Sequence, residues 1–482
     1  MHPDAAHIPP ARTGSYPPRE GNLLRPLIDG PAAFGRIAEA VESAKHSVWV
    51  TLAFHEAAFR FPGGRGSLID LLAAAAARGI DVRGLFWREE NLDALVSDSE
   101  IFAGTEDERA ELERRGFGAR LRWDCLPDFC HHQKSWVIDA GHPEEIAFVG
   151  GINLDRGSLS PRGHAVRAPQ PGVAAVYAEI HDLYAELRGP CTTDVVHNFV
   201  QRWNEASERD KPSGVFPDRQ LADDLPRPQS LAAAAGDATV QITRTIMPGV
   251  YRDGTPPPDA TPYAVAEGEA SVREQVLAAI AHAKRTIHIE NQIFLSKAVL
   301  HAVAEALERG VLVNAIVPRI PMKELIEYRS RHPEVAAPIF EGLERCATHE
   351  GFTFAGLAAP DKDGTLVDVY VHAKIMLVDD AWATIGSTNF MGRSFFQETE
   401  MNASVWCPDT VRALREDLFD EHLGGASARL AEREAYLRFA EMARANAPLF
   451  AAGEPLSGLA HQLDAETWCL EPQGSAGGEE QR

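Results

Sequence analysis

Apolar residues recur at helical spacing from Phe34 to Ala44, then give way to an unbroken strand-like run from Ser47 to Phe54. A second helical pattern covers Ser67 to Ala77 and stops at Arg78-Gly79, where Gly79 suits a C-cap. Ile80 to Phe86 reads as the next strand. The same order returns later: helix Val272 to Ala283, strand Thr286 to Phe294, helix Ala298 to Arg309, Gly310, strand Val311 to Val317. Ala44-Lys45-His46-Ser47-Val48 lines up with Ala283-Lys284-Arg285-Thr286-Ile287, so an internal duplication is the economical explanation. Alternating helices and strands in each copy predict an α/β layered fold.

The segments between the copies read differently. Residues 1–22 look like a tail, Lys211 to Ala235 a Pro-, Asp- and Ala-rich connection, and Met247 to Pro262 a long loop. The end is helical to about Ala445 and then loosens into a Gly/Glu tail. The expected units are a tail (1–22), a first lobe (23–215), a linker (216–237), a second lobe (238–425) and a C-terminal extension (426–482). Of the 482 residues, 45% are hydrophobic and 24% charged, as in a soluble protein with a large core. The net charge of -23 repels a polyanion at long range and weighs against a nucleic-acid partner. The six cysteines show no framework spacing, which suits a reducing compartment. Met1 to Asn22 has no apolar leader-like core and no run of about 18 apolar residues occurs. A cytoplasmic protein with at most peripheral membrane contact is expected.

The duplicated scaffold carries duplicated chemistry. His132-Gln133-Lys134-Ser135-Trp136-Val137-Ile138-Asp139 and His372-Ala373-Lys374-Ile375-Met376-Leu377-Val378-Asp379 both read H-x-K-x-x-x-x-D. Each precedes a Gly-rich turn ending in Asn, Gly150-Gly151-Ile152-Asn153 and Gly386-Ser387-Thr388-Asn389. Residues two apart on a strand share a face, so His and Lys of each motif point together. That inventory suits attack on a phosphodiester: one neutral imidazole as nucleophile and a second, protonated, for the leaving alkoxide. Lys134 and Lys374 would offset charge on the phosphoryl oxygens, and the amides of Asn153 and Asn389 would donate to them. Glu400 and Asp182 are candidates for the acids that fix each imidazole's tautomer. Asp139 and Asp379 complete the motif and count among the site residues, although a framework role on turn amides is favoured for them. Ser387 offers a hydroxyl where its counterpart Gly151 does not, and Gly151, Glu290 and Gln292 are candidates for substrate contact or pocket wall. Cys125, Cys130 and His131 lack a second ligand pair at zinc spacing, so neither metal nor cofactor is expected. The aromatic loop Phe59 to Gly64 is compatible with core packing, a lid or contact with a lipid interface.

On these motifs the chain resembles the phospholipase D superfamily from about Gly21 to Gly424. The resemblance extends to Gly189-Pro190, Phe199 to Trp203, Ile289-Glu290-Asn291-Gln292, Arg393-Ser394 and Glu421 to Gly424, closer to its phospholipase and cardiolipin-synthase-like branches than to its small nucleases. It implies two pseudo-symmetric lobes, each a mixed sheet flanked by helices, with both motifs meeting at the lobe interface, and a monomer that is an internal pseudodimer. It implies a ping-pong reaction through a phosphohistidine, with His132 as nucleophile and His372 as general acid. It also implies crossed orienting acids, Asp182 serving His372 and Glu400 serving His132. The expected activity is hydrolysis or exchange of the distal phosphodiester of a glycerophospholipid, with water or an alcohol as acceptor. Cardiolipin synthase-like phosphatidyl transfer, a nuclease or other phosphodiesterase, and a non-enzymatic membrane scaffold are the alternatives. Retention of both histidines, lysines and asparagines counts against the scaffold.

Overall fold

A computed structural model describes residues 2–88, 110–112, 114–117, 120–126, 128–165, 173, 177–206, 223–427 and 429–470. Residues 207–222, which include the first part of the expected connection, and the end of the C-terminal tail, 471–482, lie outside the described residues. The first half runs β1 (Arg19–Ile28), α1 (Gly30–Ser43), β2 (Ser47–Leu52), α2 (Leu68–Ala77), β3 (Asp81–Arg88), β4 (Leu121–Cys125), β5 (Ser135–Ile138), β6 (Ile146–Gly150), β7 (Ile180–His181), β8 (Leu183–Arg188) and α3 (Thr192–Glu205). The second runs β9 (Ala238–Ile246), β10 (Glu269–Ala270), α4 (Ser271–His282), β11 (Thr286–Asn291), α5 (Lys297–Glu308), β12 (Leu312–Ile316), α6 (Lys323–Arg331), α7 (Pro333–Ala347), β13 (Phe352–Pro360), β14 (Leu366–Val371), β15 (Lys374–Val378), β16 (Trp382–Gly386), α8 (Gly392–Phe396), β17 (Glu400–Trp406), α9 (Pro408–His422), α10 (Glu432–Ala452) and β18 (Ala460–Gln462).

The two sheets repeat one topology. In the first, β4-β3-β2 are parallel neighbours, followed by antiparallel β5, β6, β8 and β1. In the second, β13-β12-β11 are parallel, followed by antiparallel β15, β16, β17 and β9. Parallel neighbours need a crossover, which α2 and α5 supply. Strand alternation then sorts side chains into layers. Val48, Val50 and Leu52 of β2 face α1 and α2, while Trp49 joins a central apolar cluster. Met376 and Val378 of β15 face the α4 and α5 side, while Ile375 and Leu377 join that same central cluster. Val137, Ala147 and Val149 of the first sheet meet Ile385, Met401 and Ala403 of the second there, so the halves share one core.

Three expectations change. Residues 3–18 are not a loose tail: Ala5 and Ile8 are buried in the second half's core, and the Trp406 indole donates to the Ile8 carbonyl at 2.7 Å. Their apolar residues are too sparse between prolines to show a period. The C-terminal extension also returns to the sheet, β18 pairing antiparallel with β13, and its helix runs to Ala452. Phe59 and Phe61 are buried edge-on against Phe34, at 4.9 and 5.8 Å, so that loop packs the core and does not face a lipid surface. Among the described residues, no helix is long and apolar enough to cross a membrane.

Candidate active site

Both motifs enter their sheets at a crossing between halves. The His132 amide donates to the Thr399 carbonyl at 2.9 Å, beside a parallel bridge from His131 to Thr399. On the other side, β14 pairs in parallel with β7, and the His372 amide donates to the His181 carbonyl at 2.8 Å. Each crossing delivers an acid one residue later, Glu400 after Thr399 and Asp182 after His181. His132 Nδ1 lies 3.0 and 3.1 Å from the two Glu400 oxygens, and His372 Nδ1 lies 2.6 Å from Asp182 Oδ2. Both imidazoles are thus held at Nδ1 by a carboxylate of the opposite half. The half-sites face one another closely enough for Lys374 to act on His132, and for Lys134 and His132 to act on His372.

Each lysine turns back onto the backbone of its own motif. Lys134 Nζ donates to the His132 carbonyl at 2.8 Å; Lys374 Nζ donates to the His372 carbonyl and to Gln292 Oε1, the latter at 3.0 Å. Oδ1 of Asn153 and of Asn389 is buried with no partner among the described residues. Ser387 donates its hydroxyl to Glu400. At its counterpart Gly151, a Cβ would come within 2.5 Å of Asp182 Oδ1, so only glycine leaves that carboxylate room.

Burial is the leading electrostatic influence. It pushes the Glu400 carboxyl up to about 8 against the pull of Lys134 and Ser387, and the Asp182 carboxyl up to about 7 against Lys374. Burial, then Lys134, holds His132 well below the usual imidazole range, and burial, then Lys374, does the same to His372. It lowers Lys134 and brings Lys374 down to about 7, with Asp182 opposing.

Two groups of candidates leave the site. Asp139 accepts from the amides of Lys45, His46 and Ser47; Asp379 accepts from those of Lys284, Arg285 and Thr286, and from His7 Nε2 at 2.8 Å. Both close a turn at φ 56°, a left-handed conformation that Asp tolerates better than most residues, and their oxygens are taken up by amides rather than aimed at substrate. Glu290 is fully buried and accepts from His181, His422 and His288 at 2.8, 2.8 and 2.7 Å, so it lines no substrate surface.

That Glu290 cluster is absent from the sequence-based expectations, because its members come from separate segments. Among the described residues, Asp29, His164 and His181 form one set of ligand-type groups, and His181, Glu290 and His422 another, with ligand atoms within 4.8 Å of one another. Burial opposes charge on His181, yet Asp29 and Glu290 hold it well above the usual imidazole range; Glu290 is held well below its own by His422 and His181, against burial. The cluster locks the residue whose carbonyl docks the second motif and whose neighbour is Asp182. Asp29 Oδ2 is buried with no hydrogen-bond partner among the described residues, 3.7 Å from His164 Nε2, and the donor set would suit a divalent cation in place of the protons on His181.

Comparisons with known proteins agree with this architecture. A family model for the phospholipase D-like domain of cardiolipin synthase matches residues 276–422, and one for phospholipase D matches residues 175–323. Phospholipase D alpha 1 of Ricinus communis and of Oryza sativa subsp. japonica are each 24% identical over 549 residues, covering 87% of this chain. The chain spans 66% of the length of those relatives. A crystal structure of phosphatidylserine synthase from Haemophilus influenzae superposes with a TM-score of 0.54 at 15% identity, over 82% of this chain and 84% of that one.

Proposed function

Because the chain belongs to the phospholipase D superfamily, we propose that it cleaves or exchanges the distal phosphodiester of a glycerophospholipid by double displacement. The observation that carries this reading is the crossed pair of histidine–carboxylate contacts, His132 on Glu400 and His372 on Asp182. With Nδ1 engaged, each imidazole presents Nε2 to the space between the halves. Nε2 of His132 attacks phosphorus, the bond to the head-group oxygen breaks, and His372 gives that oxygen its proton. His372 then takes a proton from water or an alcohol, whose oxygen attacks phosphorus and displaces His132. Phosphatidic acid or a phosphatidyl-alcohol leaves. Lys134, Lys374 and the amides of Asn153 and Asn389 stabilise the charge on the phosphoryl oxygens, preorganised donors being worth roughly 3 kcal/mol each in other enzymes. Glu400 and Asp182 fix the tautomers.

The relatives named phospholipase D favour hydrolysis or alcohol exchange, and the match to the cardiolipin synthase domain supports phosphatidyl transfer to a lipid alcohol as a second reading. The deciding experiment offers phosphatidylcholine and phosphatidylglycerol vesicles with and without ethanol, and single-stranded DNA. Phosphatidic acid and phosphatidylethanol are the expected products. Cardiolipin would favour the second reading, and DNA cleavage with inert lipids would overturn both. The net charge of -23 argues against that last result.

A further inference from the structure

The half-sites differ beside their lysines. Thr51 pairs with Ser135 as Glu290 pairs with Ile375, so the duplicated strands align residue for residue and Ala53 stands where Gln292 stands. In the first half the Lys134 ammonium meets the His132 carbonyl and, 5.7 Å from its centroid, the ring of Phe54. In the second half, Lys374 meets the His372 carbonyl and also the side-chain carbonyl of Gln292 at 3.0 Å.

Gln292 is itself held on several sides. Its backbone amide donates to the Ala373 carbonyl at 3.1 Å; its side-chain amide donates to Tyr370 Oη at 3.1 Å and to the Met322 sulfur at 3.4 Å. Tyr370 stacks alongside His372 at 6.5 Å and meets Tyr177 of the first half edge-on at 4.8 Å. A glutamine with its amide committed in this way offers its carbonyl oxygen in one direction only.

We propose that Gln292 is a positioning residue for Lys374: it and the His372 carbonyl take two of the three ammonium protons, which fixes the third on the substrate phosphate. Lys374 is then the rigid reference for the phosphodiester. Lys134, with one such acceptor among the described residues and an aromatic face, is the cation that follows the moving charge. An acceptor on the ammonium also favours its charged form, against the burial that brings Lys374 down to about 7. The charged groups facing Lys374 are Asp182 and Glu400, which hold its proton, and Lys134, which repels it; His372 lies beside them.

The inference rests on the phosphodiesterase reading, and its test keeps the two apart. The Nζ of Lys374 is titrated by nitrogen-detected NMR in the substrate-free full chain, with its signal assigned by loss in Lys374→Arg. Gln292→Leu is expected to lower the Lys374 pKa, and Gln292→Glu, which keeps the shape, to raise it. On a soluble short-chain phosphatidylcholine, Gln292→Leu is expected to lower kcat/KM by about 10- to 100-fold, the effect of losing a hydrogen bond to a charged group, and to move the alkaline limb to lower pH. If Gln292→Leu does not fold, the rise in Gln292→Glu carries the test. An unchanged Lys374 titration in the variants overturns the proposal. Opposite shifts without lipid turnover uphold it and overturn the lipid reading.

Discussion

Burial holds the titratable side chains of the candidate site away from their charged forms, and the pH dependence of the reaction follows from that. The nucleophile must be neutral, and His132 lies well below the usual imidazole range through burial and Lys134, so its own protonation inhibits only in acid, below that range. His372 must carry a proton and is held low by burial and Lys374, so kcat/KM is expected to decline upward from below the usual imidazole range. Loss of charge on Lys374, brought down to about 7, deepens the decline near neutrality. A bound phosphodiester favours the ammonium, so the alkaline limb of kcat is expected at higher pH than that of kcat/KM, as two profiles on short-chain phosphatidylcholine would reveal. Glu400 has the opposite linkage to an ordinary salt-bridged acid. Its carboxyl rises from 4.5 to about 8 on folding, so the folded state binds the proton more tightly, and its contribution to stability is lost as pH climbs through that window. Glu400→Gln, which has no such proton to lose, is expected to melt above the parent at pH 8 by a wider margin than at pH 5, while turnover collapses.

At the scale of elements, the site is set by strand ends and turns rather than by the strands themselves. Gly151→Ala puts a Cβ 2.5 Å from Asp182 Oδ1 and must displace the carboxylate that holds His372. A misplacement of about 1 Å costs about 10²-fold in comparable sites. Ser387→Ala removes a donor from Glu400 and an acceptor from the Met401 amide but forces no atom aside, so kcat for Gly151→Ala is expected to fall further than kcat for Ser387→Ala. The duplicated helix–strand order and the doubled motif are legible in the chain because they are local patterns: β2 and β11 follow their helices within a few residues of the expected bounds. Asp29, His164, His181, Glu290 and His422 are not legible as a group, since only the closed topology brings their segments together. The fate of residues 3–18 is hidden for a different reason. Ala5 and Ile8 make their contacts singly, without a period that marks an element.

The whole molecule is two sheets sharing a core, and the polar ties across it set the register of the half-sites. Arg244 of β9 donates to Asn198 and Gln201 of α3, to Ser15 and to Glu269, all of them buried. Asn198 in turn donates to Gln133, whose amide reaches the Glu400 carbonyl at 3.2 Å. Arg244→Ala strands the Glu269 carboxylate and is expected to cost about 3–5 kcal/mol, read as a fall in melting temperature. This tie fixes the backbone of Glu400, the acid that crosses to His132. The most direct measurement uses phosphatidyl-p-nitrophenol, whose leaving group needs no proton, with the His372→Asn variant. One equivalent of nitrophenolate is expected in a burst, with a phosphatidyl adduct on His132 found by peptide mass spectrometry. Adding Glu400→Gln should suppress the burst, and adding Asp182→Asn should leave it. An adduct on another residue, or a burst lost with Asp182→Asn and kept with Glu400→Gln, would contradict the crossed site.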